Sequence, residues 1–245
     1  MNIYRVCRRG ICRMISLLLF LSLLIVPRGA YADSQTGSDE NRYGSAAEEV
    51  QETSAVLAGS WYDEYVGYVL EQGYMSSLSG DDFGPDEPMT RAMFVSALYQ
   101  MADTEDYVPE ISIEDQFGDV NGGESFVTAL AWAYENKIIR GMNGDFCPDL
   151  AIDREMIAVM IQRASAVLEI QSSSDWSISI DYTDLDEISD WAIDGIAYCT
   201  VCGIMSGNPD GSFAPKRFLT RAEAAAIITR IDKDLRVCGQ DDPEI

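Results

Sequence analysis

The sequence contains no histidine, and only 17 lysine and arginine residues stand against 41 aspartate and glutamate residues, which gives a formal net charge of −24. Without histidine the chain lacks the commonest general acid–base, the usual partner of a serine or cysteine nucleophile, and most zinc ligands. The shortage of basic residues excludes bulk attraction to nucleic-acid phosphates or anionic membranes. Hydrophobic residues make up 47% of the 245 residues, which is enough apolar material for a folded core.

The N-terminus has the features of an export signal. Four arginines and no acidic residue lie within residues 1–13, an apolar run covers residues 15–26, and the small-residue motif Ala-Tyr-Ala ends at Ala32. This combination is typical of a secretory signal peptide, and the apolar run is shorter than the roughly 20 residues that a membrane span needs. We therefore expect residues 1–32 to be removed, which leaves a secreted chain without a membrane span. The alternative is an uncleaved N-terminal anchor.

Removal of this signal makes the chain more acidic, because five arginines leave with it and the net charge becomes −29. The cysteines that remain are Cys147, Cys199, Cys202 and Cys238. Their even number permits disulfides in an exported protein but does not fix the pairing. The Cys199-x-x-Cys202 spacing falls at the end of a predicted helix, where a reactive thiolate is not stabilised, so we expect a structural thiol or disulfide there rather than redox chemistry.

The mature chain divides into a spacer and a repeat region. Residues 33–57 are rich in Ser, Gly, Glu, Gln and Thr, and such a segment cannot bury enough surface to offset its ordering entropy. We predict a flexible acidic linker there. A threefold repeat follows over residues 58–115, 116–178 and 179–236, and a short tail covers residues 237–245.

Two motifs align the three repeats. Each repeat has a Phe-x-Pro loop and, a few residues later, an arginine, and both features step by 63 and then 67 residues. The residues at these positions are Phe83, Phe146, Phe213, Arg91, Arg154 and Arg221. Such regular spacing indicates that each repeat is one structural unit.

Each repeat is predicted to form two helices. In repeat 3 an apolar stripe at helical spacing predicts the first helix, and its members are Ile188, Ala192, Ile196 and Cys199. Ser189 or Asp190 is placed to cap the start of this helix, and Gly203 is placed to end it.

The second helix of each repeat follows a capping residue. Thr220-x-x-Glu223 is a capping box in repeat 3, and Thr90 and Asp153 hold the same capping position in repeats 1 and 2. Three such helix-loop-helix units, each too small to build a core alone, predict a mainly α fold with a shared core.

Together these motifs resemble the S-layer homology (SLH) domain, in three tandem copies. The segments of repeat 3 that carry the resemblance are Tyr182-Thr-Asp184-Leu185, Trp191, Gly203-Ile204-Met205-Ser-Gly207, Asp210-Gly211-Ser-Phe213-Ala-Pro215 and Thr220-Arg221-Ala222-Glu223. The resemblance implies a pseudo-threefold spindle around a central bundle with one helix from each repeat. It also implies non-covalent attachment to the bacterial cell envelope, usually through a secondary cell wall polymer with a pyruvylated, anionic terminal sugar.

The resemblance and the residue chemistry together suggest polymer-binding residues. An arginine at a helix start can clamp a carboxylate, tryptophan can stack on a sugar, glycine allows close approach, and aspartate can accept hydroxyls. The candidates are Arg221, Thr220, Glu223, Asp184, Trp191, Gly207, Gly211, Arg91, Trp61, Arg154 and Asp119. Thr220 and Glu223 serve first as a helix cap, and both tryptophans are expected in the core rather than on a sugar platform, because a helical aromatic usually faces the core.

Repeats 1 and 2 depart from the family pattern. Met93 and Met156 stand where repeat 3 has Glu223, and Ser125 stands where the tryptophan of repeat 2 is expected. We therefore expect polymer binding around repeat 3, with Arg221 as the main carboxylate ligand. The alternative is a structural or partner-binding envelope protein whose degenerate repeats do not bind glycan. We expect no catalytic residue, cofactor or metal, and the sequence identifies no protein cargo.

Overall fold

The computed structural model describes residues 59–104, 106–170 and 180–236. The predicted signal peptide, the predicted linker over residues 33–57, the tail over residues 237–245 and Cys238 lie outside the described residues. Within the described part, no helix is both long and apolar enough to cross a membrane.

The described residues contain six α-helices, two in each repeat. They are α1 (Asp63–Gln72), α2 (Arg91–Ala102), α3 (Val127–Glu135), α4 (Arg154–Ala164), α5 (Ile193–Val201) and α6 (Arg221–Arg230). Short 3-10 turns lie at Ile113–Asp115, Leu185–Glu187 and Asp190–Ala192, and a π-helical turn at Ile231–Leu235 follows α6. The described residues form isolated β-bridges and no longer strands. The predicted mainly α class is therefore confirmed.

The second helix of each repeat starts as predicted. Thr90, Asp153 and Thr220 have extended backbone, and the side-chain oxygen of each accepts the N–H of the residue three positions later. In repeat 3 the capping box is complete, because Glu223 also accepts the N–H of Thr220.

The first helix of repeat 3 starts differently from the prediction. Ser189 and Asp190 do not cap α5, because a 3-10 turn intervenes and α5 begins at Ile193 without a side-chain cap. Ser189 instead donates its hydroxyl and its N–H to the buried carboxylate of Glu155 at 3.0 and 3.1 Å. The end of the helix is as predicted, since Gly203 has a φ of 68° and donates to the carbonyl of Thr200.

Each second helix packs against the first helix of the next repeat. Thus α2 packs on α3, α4 packs on α5, and α6 returns to pack on α1. The α4–α5 crossing is close, because a Cβ atom added to Gly195 would lie 2.9 Å from the backbone of Val159. These contacts form a closed cycle of three repeats, and the predicted spindle shape stays a prediction.

A ring of three backbone hydrogen bonds joins the repeats at the residues that precede the second helices. The N–H of Met89 donates to the carbonyl of Leu219 at 2.9 Å, that of Ile152 to Met89 at 2.8 Å, and that of Leu219 to Ile152 at 3.1 Å. All three side chains are buried in the common core. Each repeat contributes one donor and one acceptor, so the ring requires all three.

Arg236 joins the end of the described chain to two earlier helices. Its Nη1 donates to the carbonyl of Met101, in the last turn of α2, at 2.8 Å, and its Nε donates to the carbonyl of Leu168, just beyond α4, at 3.0 Å. Helix C-termini carry partial negative charge, which favours a cation there. An ion pair with Asp232 at 3.0 Å holds the guanidinium in place.

Candidate functional site

The three arginines at the helix starts are buried against the loop of the next repeat. Their exposed fractions lie between 3% for Arg221 and 8% for Arg154. Each Nε donates to the carbonyl of a Phe-x-Pro phenylalanine, at 2.7 to 2.9 Å, and each guanidinium stacks on the same ring at 4.4 to 4.6 Å. The pairs are Arg91 with Phe146, Arg154 with Phe213, and Arg221 with Phe83. Burial lowers the pKa of all three arginines.

A second carbonyl accepts from the Nη2 atom of each arginine. The acceptors are Arg140 for Arg91, Ser206 for Arg154, and Ser76 for Arg221, at 3.3, 2.8 and 2.6 Å. An arginine at a helix start opposes the helix dipole, and these bonds between repeats supply the structural reason for it. Direct contact of the guanidinium groups with a polymer carboxylate stays a prediction.

Asp184 and Asp119 shape the loops that receive these arginines. The carboxylate of Asp184 accepts the N–H groups of Phe213 and Ala214 at 2.8 and 2.7 Å. Asp119 binds the matching loop of repeat 2 in the same way, at 2.7 and 2.6 Å. Ala214 and Cys147 both have a φ of 57°, a left-handed conformation that costs energy without glycine. Each carboxylate therefore holds a strained turn in place.

Gly207 and Gly211 have packing and turn roles in the same loop. A Cβ atom added to Gly207 would lie 2.6 Å from the ring of Tyr182 and 3.0 Å from the carbonyl of Ser212. Gly211 has a φ of 84°, which favours glycine whatever the surroundings. We predict that a ligand approaches the backbone closely at these glycines. At Gly207, the ring of Tyr182 already occupies that space.

Trp61 and Trp191 are both exposed, at 61% and 52%. Their assignment to the core is therefore wrong. Trp61 precedes α1, and Trp191 lies in the 3-10 turn before α5, so neither has the helical position that would direct it inwards. Among the tryptophans of the described residues, Trp132 in α3 is the buried one, at 2% exposed. Exposed indole rings are available for stacking.

A groove of about 210 Å³ brings three of the candidate residues together. Trp61 comes from repeat 1, Arg154 from repeat 2 and Glu223 from repeat 3, and Arg230 also lines the groove. Arg217 forms two hydrogen bonds with Glu223, at 3.0 and 2.8 Å. Burial opposes ionisation of Glu223, but the bonds from Arg217 and from the N–H of Thr220 outweigh it and lower its pKa. The groove therefore holds an ionised glutamate among arginines.

The sequence profile of the S-layer homology domain matches residues 57–93, 116–155 and 181–225. The three repeats belong to the S-layer homology domain family.

Three relatives illustrate where these SLH repeats occur. An endoglucanase of Bacillus sp. (strain KSM-635) is 30% identical over 91% of this chain and 22% of its own length. An amylopullulanase of Thermoanaerobacterium thermosulfurigenes is 29% identical over 75% of this chain and 10% of its own. An S-layer protein of Bacillus thuringiensis subsp. finitimus is 24% identical over 73% and 21%. The chain thus spans at most 22% of these three relatives, and the S-layer protein among them supports a location at the cell surface.

The most complete SLH repeat does not form a complete site of its own. Glu223 faces Arg154, whereas Arg221 lies between repeats 3 and 1, with its Nη1 3.4 Å from the sulfur of Met93. The turn that carries Trp191 packs on α4, where Met156 replaces the glutamate. Glu223, Arg221 and Trp191 of repeat 3 therefore have different neighbours in the other repeats and do not form one site. The cyclic packing of the helices causes this distribution.

Sequence reasoning missed two arginines associated with this SLH groove. Arg217 binds Glu223, and Arg230 lines the groove near the end of α6. One signal in the sequence could have indicated Arg230. An arginine recurs nine residues after the helix-start arginine in repeats 2 and 3, at Arg163 and Arg230.

The described cysteines Cys147, Cys199 and Cys202 carry free thiols. Burial raises the pKa of Cys199 and that of Cys202, which disfavours the reactive thiolate. Any pairing with Cys238 lies outside the described residues. Across the three described segments, no three histidine, cysteine, aspartate or glutamate side chains are grouped to hold a metal ion.

Proposed function

We propose that this chain attaches an exported protein to the bacterial cell envelope by binding an anionic, pyruvylated secondary cell wall polymer. The observation that supports the proposal is the groove in which Trp61, Arg154 and Glu223 come together from three SLH repeats. A pyruvylated sugar offers a ring face to the indole, hydroxyls to the glutamate and a carboxylate to the guanidinium groups.

Local geometry supplies the attraction in this proposal. The net charge of −29 that remains after signal removal repels an anionic polymer at a distance. Two arginines, Arg154 and Arg230, line the groove against the single carboxylate of Glu223, which is itself paired with Arg217. Two hydrogen bonds from Arg217 hold the carboxylate of Glu223 in place at the groove.

The proposal assigns an anchoring role and no catalytic one. The relatives named as enzymes match this chain through the SLH repeats and over at most 22% of their own length. Their names are therefore no evidence for catalytic activity in this chain. The cargo that the anchor would hold stays unidentified.

Co-sedimentation with purified peptidoglycan that carries its polymer tests the proposal. We expect the chain without residues 1–32 to be retained and Trp61→Ala to weaken retention by about tenfold, as loss of one stacked sugar implies. Trp191→Ala is the matched control, because Trp191 is similarly exposed and lies outside this groove. A larger loss with Trp191→Ala would instead place the site around repeat 3.

Two further results bear on the alternative. Peptidoglycan whose polymer has been stripped of its acidic substituent should no longer retain the protein. Absence of wild-type retention would refute the anchor and would favour a structural or partner-binding role for the degenerate repeats.

A further inference from the structure

The three junctions between repeats share one pattern of backbone hydrogen bonds. At each junction, the residue after the helix-start arginine donates its N–H to the proline carbonyl of the adjoining Phe-x-Pro loop, at 3.0 or 3.1 Å. The pairs are Ala92 with Pro148, Glu155 with Pro215, and Ala222 with Pro85. Because this bond is the same at every junction, it does not distinguish one loop from another.

The junction between repeats 2 and 3 also contains a buried ion pair. Glu155, near the start of α4, is 1% exposed, and its carboxylate pairs with the ammonium group of Lys216. The same carboxylate accepts the hydroxyl and the N–H of Ser189 at 3.0 and 3.1 Å. The ammonium group of Lys216 also donates to the hydroxyl of Ser189 at 2.6 Å. Since Lys216 directly follows Pro215, the backbone bond of Glu155 brings the two charged residues together.

The matching positions at the other two junctions have a different character. Ala92 and Ala222 stand where repeat 2 has Glu155, and they are 5% and 1% exposed. Asp86 and Asp149 stand where repeat 3 has Lys216, and both are exposed. Two of the three junctions therefore form with alanine and aspartate at these positions. A buried ion pair is weak evidence for stability, and its best-attested use is to specify which elements pair.

A wrong pairing would bring carboxylates together. If α4 met the loop of repeat 1, or that of repeat 2 in a second copy of the chain, Asp86 or Asp149 would lie opposite Glu155. Asp153, two residues before Glu155, is also buried. Burial, with a smaller contribution from the charge of Glu155, raises the pKa of Asp153, and the charge of Lys216 opposes this rise. An aspartate in place of the lysine would therefore add a third carboxylate to two that are already buried, which is costly.

We propose that the Glu155–Lys216 pair determines which repeats adjoin, because it makes α4 accept the loop of repeat 3 and reject the loops of repeats 1 and 2. The selection combines attraction to the lysine with repulsion of the aspartates. It directs α4 to repeat 3, as closure of the cycle within one chain requires. It goes beyond the proposed anchoring role and does not depend on polymer binding.

Thermal melts of the chain without residues 1–32 test this selection. Lys216→Asp places the residue of the rejected loops at the native junction and should lower the melting temperature by about 5–10 °C, because a buried carboxylate loses its partner. Lys216→Gln removes the lysine charge without adding a carboxylate, so its loss should be at most about half as large. Glu155→Ala introduces the alanine of the other two junctions and should lower the melting temperature by less than about 3 °C.

The combination of Glu155→Ala with Lys216→Asp restores the alanine and aspartate of the other junctions. It should melt within about 3 °C of wild type, even if Lys216→Asp alone does not fold. Asp149→Lys is the matched control, because it changes the charge at the equivalent position opposite Ala92, and it should shift the melting temperature by less than about 2 °C. An equal loss from Glu155→Ala and Lys216→Asp would show a pair that only stabilises and would overturn the inference. A combined variant no more stable than Lys216→Asp would also overturn it.

Discussion

Replacement of Arg221 by methionine should destabilise the whole fold, because this arginine closes the cycle between the last repeat and the first. It donates to the carbonyls of Phe83 and Ser76, which lie 138 and 145 positions away in sequence, at 2.9 and 2.6 Å. Methionine keeps much of the apolar contact with the Phe83 ring but supplies no donor.

The magnitude follows from the buried carbonyls. Each hydrogen bond from a charged group contributes about 1.5–3 kcal/mol, and the guanidinium–ring contact adds about 1 kcal/mol. Methionine avoids the cost of burying a charge, which offsets part of this loss. We therefore expect the free energy of unfolding to fall by about 3 kcal/mol, a large share of the roughly 5–15 kcal/mol that domains possess.

Urea denaturation of the mature chain measures this change. Arg91→Met should have a similar effect, since Arg91 forms the same bonds between repeats 1 and 2. The exposed Arg140→Met is the control and should change the free energy by less than about 0.5 kcal/mol. A value for Arg221→Met no larger than that of the control would refute the closed cycle.

Two more predictions concern the helix crossing and the capping glutamate. Gly195→Ala should lower the free energy of unfolding by about 1–3 kcal/mol, because its Cβ would press on the backbone of Val159, whereas Gly67→Ala in α1 meets no atom and should raise it by about 0.5 kcal/mol. Urea titration of both variants checks this pair. The lowered pKa of Glu223 means that it stabilises the fold at neutral pH, and this contribution is lost as the pH falls below the ordinary glutamate pKa and through the lower folded value. Glu223→Gln should therefore flatten the fall in stability with acid that wild type shows in pH-dependent melts.

Local signals in the sequence were sufficient to predict where the second helix of each repeat begins. The caps Thr90, Asp153 and Thr220 act within a few residues of themselves, so their motifs located α2, α4 and α6 correctly. The start of α5 was missed because Ser189 bonds to Glu155, a residue of another repeat that no local pattern reveals.

The composition of the site depends on how the repeats pack. Repeat 3 carries the most complete motif, and reading each motif by itself assigns Arg221, Trp191 and Glu223 to one place. In the fold each second helix meets the first helix of the next repeat, so Glu223 shares a groove with Trp61 and Arg154. Sequence similarity among repeats reveals their equivalence but not which equivalents become neighbours.

A double-mutant cycle on polymer binding tests this composite groove most directly. Trp61→Ala and Glu223→Gln, alone and combined, should show a coupling of about 0.5–3 kcal/mol, because both residues line one groove. Trp191→Ala combined with Glu223→Gln should be additive within about 0.5 kcal/mol, although both residues belong to repeat 3. Coupling of Glu223 with Trp191 and additivity with Trp61 would contradict the composite site.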